Sequence, residues 1–194
     1  MIIINHRVNT IKKLKNTPKE YGVEVDLRSN GHDIIIHHDP FKKGILFKDW
    51  LQYFDHKTLI LNVKEEGLEQ VILNYLNKKK ITDYFFLDQS FPFLIKYSSI
   101  LKGKSAVRFS EYESLNSVLN LKRIINWVWV DYFNFFPLDY TTYLNFKNED
   151  FKICLVSPEL QGFGEEEISK LRNILLKSNI KADAVCTKNP NLWT

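Results

Sequence analysis

The stretch YGVEVDLRSNGHDIIIHHDP, residues 21–40, decides how the chain is read. Tyr21 to Leu27 alternates apolar and polar residues, and Asp33 to His37 is rich in isoleucine, so both read as strands. The second run is a hairpin-like extension of the first. Glu24 and Asp26 lie two apart, which points both carboxylates to one face. On a solvated strand they would merely flank the surface. A strand buried on both sides does not carry two inward carboxylates without a cation. His37-His38-Asp39 ends the run, either as a turn begun at Asp39-Pro40 or as part of a site.

The same kind of strand recurs outward from this stretch. Met1–Asn5 precedes it, and Thr58–Val63, Tyr84–Leu87, Ser105–Phe109, Trp127–Asp131, Phe151–Val156 and Ala182–Cys186 follow. Such short β-branched and aromatic runs suit strands covered on both faces. Helical spacing fills the gaps at Asn9–Asn16, Phe47–Phe54, Leu68–Lys79, Phe91–Leu101, Glu113–Leu121, Leu138–Asn145 and Glu165–Lys177. Alternation of this kind implies parallel strands joined by helical crossovers. Eight strand-helix units, the last helix vestigial, predict a closed (β/α)8 barrel, a TIM barrel of the α/β class. An open nucleotide-binding sheet would carry a glycine-rich phosphate loop, and neither GxGxxG nor GxxxxGK[ST] occurs.

Composition supports a folded chain. The 194 residues include 44% hydrophobic and 14% aromatic residues with only seven glycines and six prolines, which excludes collagen-like and disordered readings. No linker or composition break divides residues 1–194, so a single domain is expected. Cys154 and Cys186 sit in apolar runs and read as buried free thiols, suiting a reducing compartment. The start MIIINHR lacks the features of a signal peptide, and no run reaches the roughly 18 apolar residues of a membrane span. A cytoplasmic protein without stable membrane insertion is expected. The net charge of +4 is spread thinly, so nucleic acid is not expected as a partner, whereas a small anionic molecule is.

In a parallel barrel the reactive groups lie at the C-terminal strand ends. Here those ends carry Asn5-His6-Arg7, His37-His38-Asp39, Asn62-Val63-Lys64, Asp88-Gln89-Ser90, Asp131, Ser157-Pro158-Glu159 and Thr187-Lys188. Any one of these has a structural reading. Together they bring two histidines, an arginine, a lysine and a carboxylate pair to one rim. Two carboxylates without cysteine or zinc-type histidine spacing select a hard cation, Mg²⁺ or Ca²⁺. Such a set suits phosphodiester cleavage: the cation and Arg7 would stabilise charge at phosphorus, and two histidines would share the proton transfers.

The order His6-Arg7, Glu24-x-Asp26, His38-Asp39 resembles the glycerophosphodiester phosphodiesterase family of phospholipase C-like barrels. Asn62-Val63-Lys64, Gln89-Ser90-Phe91 and Ala182–Thr187 with Asn189-Pro190 resemble its later strand ends. The resemblance implies a metal-dependent phosphoric diester hydrolase of lipid metabolism that acts on a glycerophosphodiester-like substrate. It implies His6 and His38 as the acid/base pair, Glu24 and Asp26 as metal ligands, and Arg7 and Lys64 on the phosphate. Asn62 stands where the family has a third carboxylate ligand, and Glu159 would compensate or contact substrate. Val8 stands where the family has glycine. Only 23 residues separate His38 from Asn62, leaving no room for the family's usual insertion after the second strand. A barrel usually needs about 250 residues, so short loops are expected throughout. Two alternatives remain open: a barrel that binds a phosphate ester without turnover, and a lyase of the sphingomyelinase D type that forms a cyclic phosphate.

Overall fold

The computed structural model describes residues 1–194. They gather into two compact units, Asn5–Leu101 and Met1–Ile4 with Lys102–Thr194.

The chain opens with β1 (Ile2–Asn5) and α1 (Ile11–Asn16). Thr10 caps α1 by accepting the Lys13 N–H at 3.1 Å. β2 (Gly22–Asn30) then runs for nine residues. Val23, Val25 and Leu27 are fully buried on one of its faces, and Glu24 and Asp26 are buried on the other. The strand folds back as a hairpin: β3 (Asp33–Ile36) pairs antiparallel with it, Leu27 opposite Ile36 and Asn30 opposite Asp33. Gly31 supplies the left-handed φ of 63° in the turn. β4 (Ile45–Leu46) adds two further antiparallel residues, too few to show any periodicity in the sequence.

The expected helix Phe47–Phe54 is shorter and tighter than its spacing suggests. One α-turn, α2 (Phe47–Trp50), passes into a 3₁₀ turn at Leu51–Tyr53. No side chain caps its start, so packing rather than capping holds it. Phe47 stacks on Trp50, and the Trp50 indole donates to the Val8 carbonyl at 3.0 Å. β5 (Leu59–Val63) lies parallel to β2, with Asp26 opposite Asn62. α3 (Glu69–Lys79), β6 (Tyr84–Leu87) and α4 (Phe91–Leu101) complete the unit, whose strand order is β6-β5-β2-β3-β4. Its apolar core packs Val23, Val25 and Leu27 with Leu14, Trp50 and Leu76. Burial at roughly 25 cal/mol per Å² makes this layer the main source of the unit's stability.

The other unit repeats the alternation. β7 (Gly103–Phe109), β8 (Ile125–Val130), β9 (Lys152–Val156) and β10 (Ala184–Thr187) are parallel neighbours, with β1 beside β10. The helices α5 (Leu115–Leu119), α6 (Tyr140–Asn148) and α7 (Glu165–Lys177) connect them. α5 starts two residues later than its apolar spacing suggests because Ser114 takes the N-cap position, accepting from Ser117 N–H. Three glutamates open α7, where the helix dipole favours negative charge. Cys154 and Cys186 are buried and form no disulfide, and burial pushes the Cys154 thiol well up. No helix is long and apolar enough to cross a membrane.

Candidate active site

Six of the expected site residues meet within the unit Asn5–Leu101. The centre is the pair on β2. Glu24 and Asp26 are almost wholly buried, and Asn62 reaches them from the neighbouring strand β5. The Asn62 Nδ2 donates to Glu24 Oε1 at 3.0 Å. From the loop after β1, the Arg7 backbone N–H donates to Glu24 Oε2 at 2.7 Å, and His6 Nε2 stands 3.9 Å from the same oxygen. Arg7 adopts a left-handed φ of 49°, a conformation that non-glycine residues enter at a cost. Val8, by contrast, is outside that region. It is buried and donates its N–H to the Glu24 carbonyl at 2.7 Å. The missing glycine therefore does not open the loop, because the strained position falls on the arginine.

Asp26 is held by cations and an amide. Lys64 Nζ lies 3.3 Å from Oδ1, and Arg7 Nε lies 3.7 Å from Oδ2. Asn9 closes a two-way pair with this residue: its Nδ2 donates to Oδ2 at 2.8 Å and its Oδ1 accepts the Asp26 N–H at 3.1 Å. Lys64 also reaches Asp88 at 3.5 Å. The sequence pattern does not single out Asn9 or Asp88 for these roles. Asn9 is a neutral amide outside every motif, and the Asp88 side chain meets Lys64 only through the neighbouring strands β5 and β6.

Burial and the Asp26 charge beside it raise the Glu24 carboxyl from 4.5 to about 7, against the opposing pull of the Arg7 N–H, the Asn62 amide and Lys64. Two acceptors in the cluster, Asp26 Oδ1 and Asn62 Oδ1, are buried and accept no hydrogen bond. The Lys64 contact with Asp26 Oδ1 is an ion pair without hydrogen-bond geometry. An excess of buried oxygen over donors is what a cation site has before it is filled. No three His, Cys, Asp or Glu side chains converge into a metal cage, so the set able to hold a hard cation is two carboxylates and one amide oxygen.

His38 stands at the end of the hairpin, and no polar contact joins its ring to the carboxylate pair. Backbone links it to the centre: the His37 N–H donates to the Asp26 carbonyl, and Arg28 Nε donates to the His38 carbonyl, both at 3.0 Å. The His38 Nδ1 meets Asp39 Oδ1 at 2.8 Å, which leaves Nε2 open, and this bond holds the Asp39 carboxyl below its usual range. The two adjacent histidines differ in their contacts. His37 accepts the Asp39 N–H and closes the turn, while His38 is half-exposed with a free ring nitrogen. Glu159 lies in the other unit. There it accepts from Thr187 Oγ1 at 2.5 Å, from the Lys188 N–H at 2.9 Å and from Ser157. Those donors tie the turn after β9 to the end of β10.

Comparison with known proteins bears on the whole chain. No family model matches it, and no curated protein does. Solved structures do. One from Agrobacterium tumefaciens, assigned as a glycerophosphoryl diester phosphodiesterase, superimposes with a TM-score of 0.73 at 12% identity, covering 99% of this chain and 95% of that one. The chain has the fold of these barrels. A glycerophosphoryl diester phosphodiesterase from Parabacteroides distasonis gives 0.69 at 10% identity, covering 98% and 84%. A phosphodiesterase from Oleispira antarctica, solved with the product sn-glycerol-3-phosphate, gives 0.67 at 16% identity, covering 100% and 95%. The expected compact (β/α)8 barrel is therefore the fold of this protein, reached in 194 residues.

Proposed function

We propose that the protein is a metal-dependent phosphoric diester hydrolase acting on a small glycerophosphodiester-like substrate. One observation carries the reading: a buried pair of carboxylates, with an amide oxygen that lacks a donor, is flanked by Arg7, Lys64 and His6. This cluster occurs on a fold shared with glycerophosphodiester phosphodiesterases. The Oleispira antarctica structure binds sn-glycerol-3-phosphate, which supports a small anionic ligand here.

Glu24, Asp26 and Asn62 would hold Mg²⁺ or Ca²⁺, which supplies charge stabilisation at the non-bridging phosphate oxygens. Arg7 and Lys64 bind the same phosphate. The Arg7 side chain is 44% exposed, so its guanidinium can turn from Asp26 to an arriving anion. One of His6 and His38 takes a proton from the attacking hydroxyl, and the other returns one to the leaving alcohol oxygen. Asp39 on Nδ1 fixes His38 to work through Nε2. Glu159, with its own donors, serves the reading best as a structural clasp.

A second reading has a specific basis. Asn62 removes one negative charge from the cation site, which favours a barrel that binds a phosphate ester without turnover. Incubation with a panel of glycerophosphodiesters and Mg²⁺, Ca²⁺ or Mn²⁺ separates the two. Cleavage lost in His6→Asn and His38→Asn supports the hydrolase. Tight binding with no product under any of the metals supports the binding protein. A cyclic phosphate as the final product, seen by phosphorus NMR, would point to a lyase.

A further inference from the structure

Beside the candidate site, the hairpin and the loop that follows it enclose a groove of about 940 Å³. Two of its lining residues lead toward the site. Arg28, on its wall, donates to the His38 carbonyl, and Glu65, also on its wall, follows Lys64 in sequence. Arg28 is already engaged by Glu65 at 3.3 Å, so this wall is neutral. The opposite lip is not. Lys42 and Lys43 are exposed there and form no salt bridge, although Lys42 is within electrostatic reach of Asp39, beside a fully exposed Phe41.

The lip is held in place. Phe41 sits at a φ of 59°, a conformation disfavoured for a bulky side chain. A Cβ at Gly44 would run into the Ile36 carbonyl oxygen, so only glycine lets the loop close onto β3. The Arg28 bond to His38 fixes the loop's entry, and the pairing of Ile36 with Ile45 fixes its exit. Two exposed lysines on an anchored lip, set against the single nearby carboxylate of Asp39 that His38 already engages, leave a net positive field over a groove far larger than glycerol needs.

We propose that this groove receives the alcohol side of the substrate and selects alcohols that carry a second anionic group, recognised by Lys42 and Lys43. The inference rests on the phosphodiesterase reading and names the substrate class of that site. The test compares glycerophosphoglycerol with its analogue bearing a terminal phosphate on the second glycerol. The phosphorylated ester is expected to show about tenfold higher kcat/KM at low salt, mainly through KM, as two partly screened charge contacts would give. The preference should shrink in 0.5 M salt, on the order of the screening expected of exposed charges. In the double variant Lys42→Glu, Lys43→Glu the ratio should fall to about one or below by the same charge logic. Equal kcat/KM in the wild type, or a preference that survives the double variant, overturns the inference and leaves the phosphodiesterase reading intact. Cleavage of neither ester removes that reading instead. Calorimetric binding of the two esters then decides the groove, with equal affinities overturning it.

Discussion

Replacing Glu24 by glutamine should make the metal-free protein more stable at pH 8, although it disables the site. Folding takes this carboxyl from 4.5 to about 7. Holding it ionised in the folded state therefore costs about 3 kcal/mol at pH 8. Glutamine has the same shape and no charge. It can still accept the Arg7 N–H through its oxygen, and Asn62 can turn its amide to receive the new NH₂ group. That rearrangement costs about 1 kcal/mol, leaving a net gain of about 2 kcal/mol for the variant. The sign reverses with pH. A raised folded-state value means the wild type holds this contribution fully below 4.5 and loses it as the pH rises towards 7. Near pH 4.5 only the rearrangement cost remains, so the variant should be the less stable protein by about 1 kcal/mol. Urea denaturation in EDTA at the two pH values measures the crossover. A variant less stable than the wild type at both would refute the argument that the Glu24 charge is held against a desolvation penalty.

Other outcomes follow from the same contacts. Asn62→Asp adds a carboxylate beside Glu24 and Asp26, so Mg²⁺ should bind about tenfold tighter by calorimetry. The metal-free protein should meanwhile lose stability through a third buried charge. His6→Asn and His38→Asn should each lower kcat by about 10² to 10⁴, as removal of a proton-transfer group does. Trp50→Ala should destabilise the unit by about 3 to 5 kcal/mol in chemical denaturation, since the indole is fully buried and bonded to Val8. A loss of under 1 kcal/mol would be inconsistent with ordinary core packing.

Much of this was legible in the sequence because period 2 and period 3.6 leave different traces. The alternation in Tyr21–Leu27 places Glu24 and Asp26 on one face, and the structure has them there. The hairpin partner Asp33–Ile36 was legible instead from its run of isoleucines, all three of them buried. What local pattern could not show is what depends on partners far apart in the chain. Asn9 holds Asp26 from 17 residues away, and nothing in its neighbours marks it. Lys64 and Asp88 meet only because β5 and β6 are adjacent. The split between His37 and His38 depends on which ring accepts the Asp39 N–H, a choice made by the turn's backbone. The anchored lip at Phe41–Gly44 rests on the close approach of Gly44 to Ile36, which no residue pattern reveals.

The most direct test is a crystal structure of the protein soaked with Mg²⁺ and phosphate. A cation between the Glu24 and Asp26 carboxylates with the Asn62 oxygen turned to it, and an anion on Arg7 and Lys64 with His6 and His38 on either side, is the predicted result. An anion site with no cation at Glu24, or the two histidines facing away from the bound phosphate, would contradict the account.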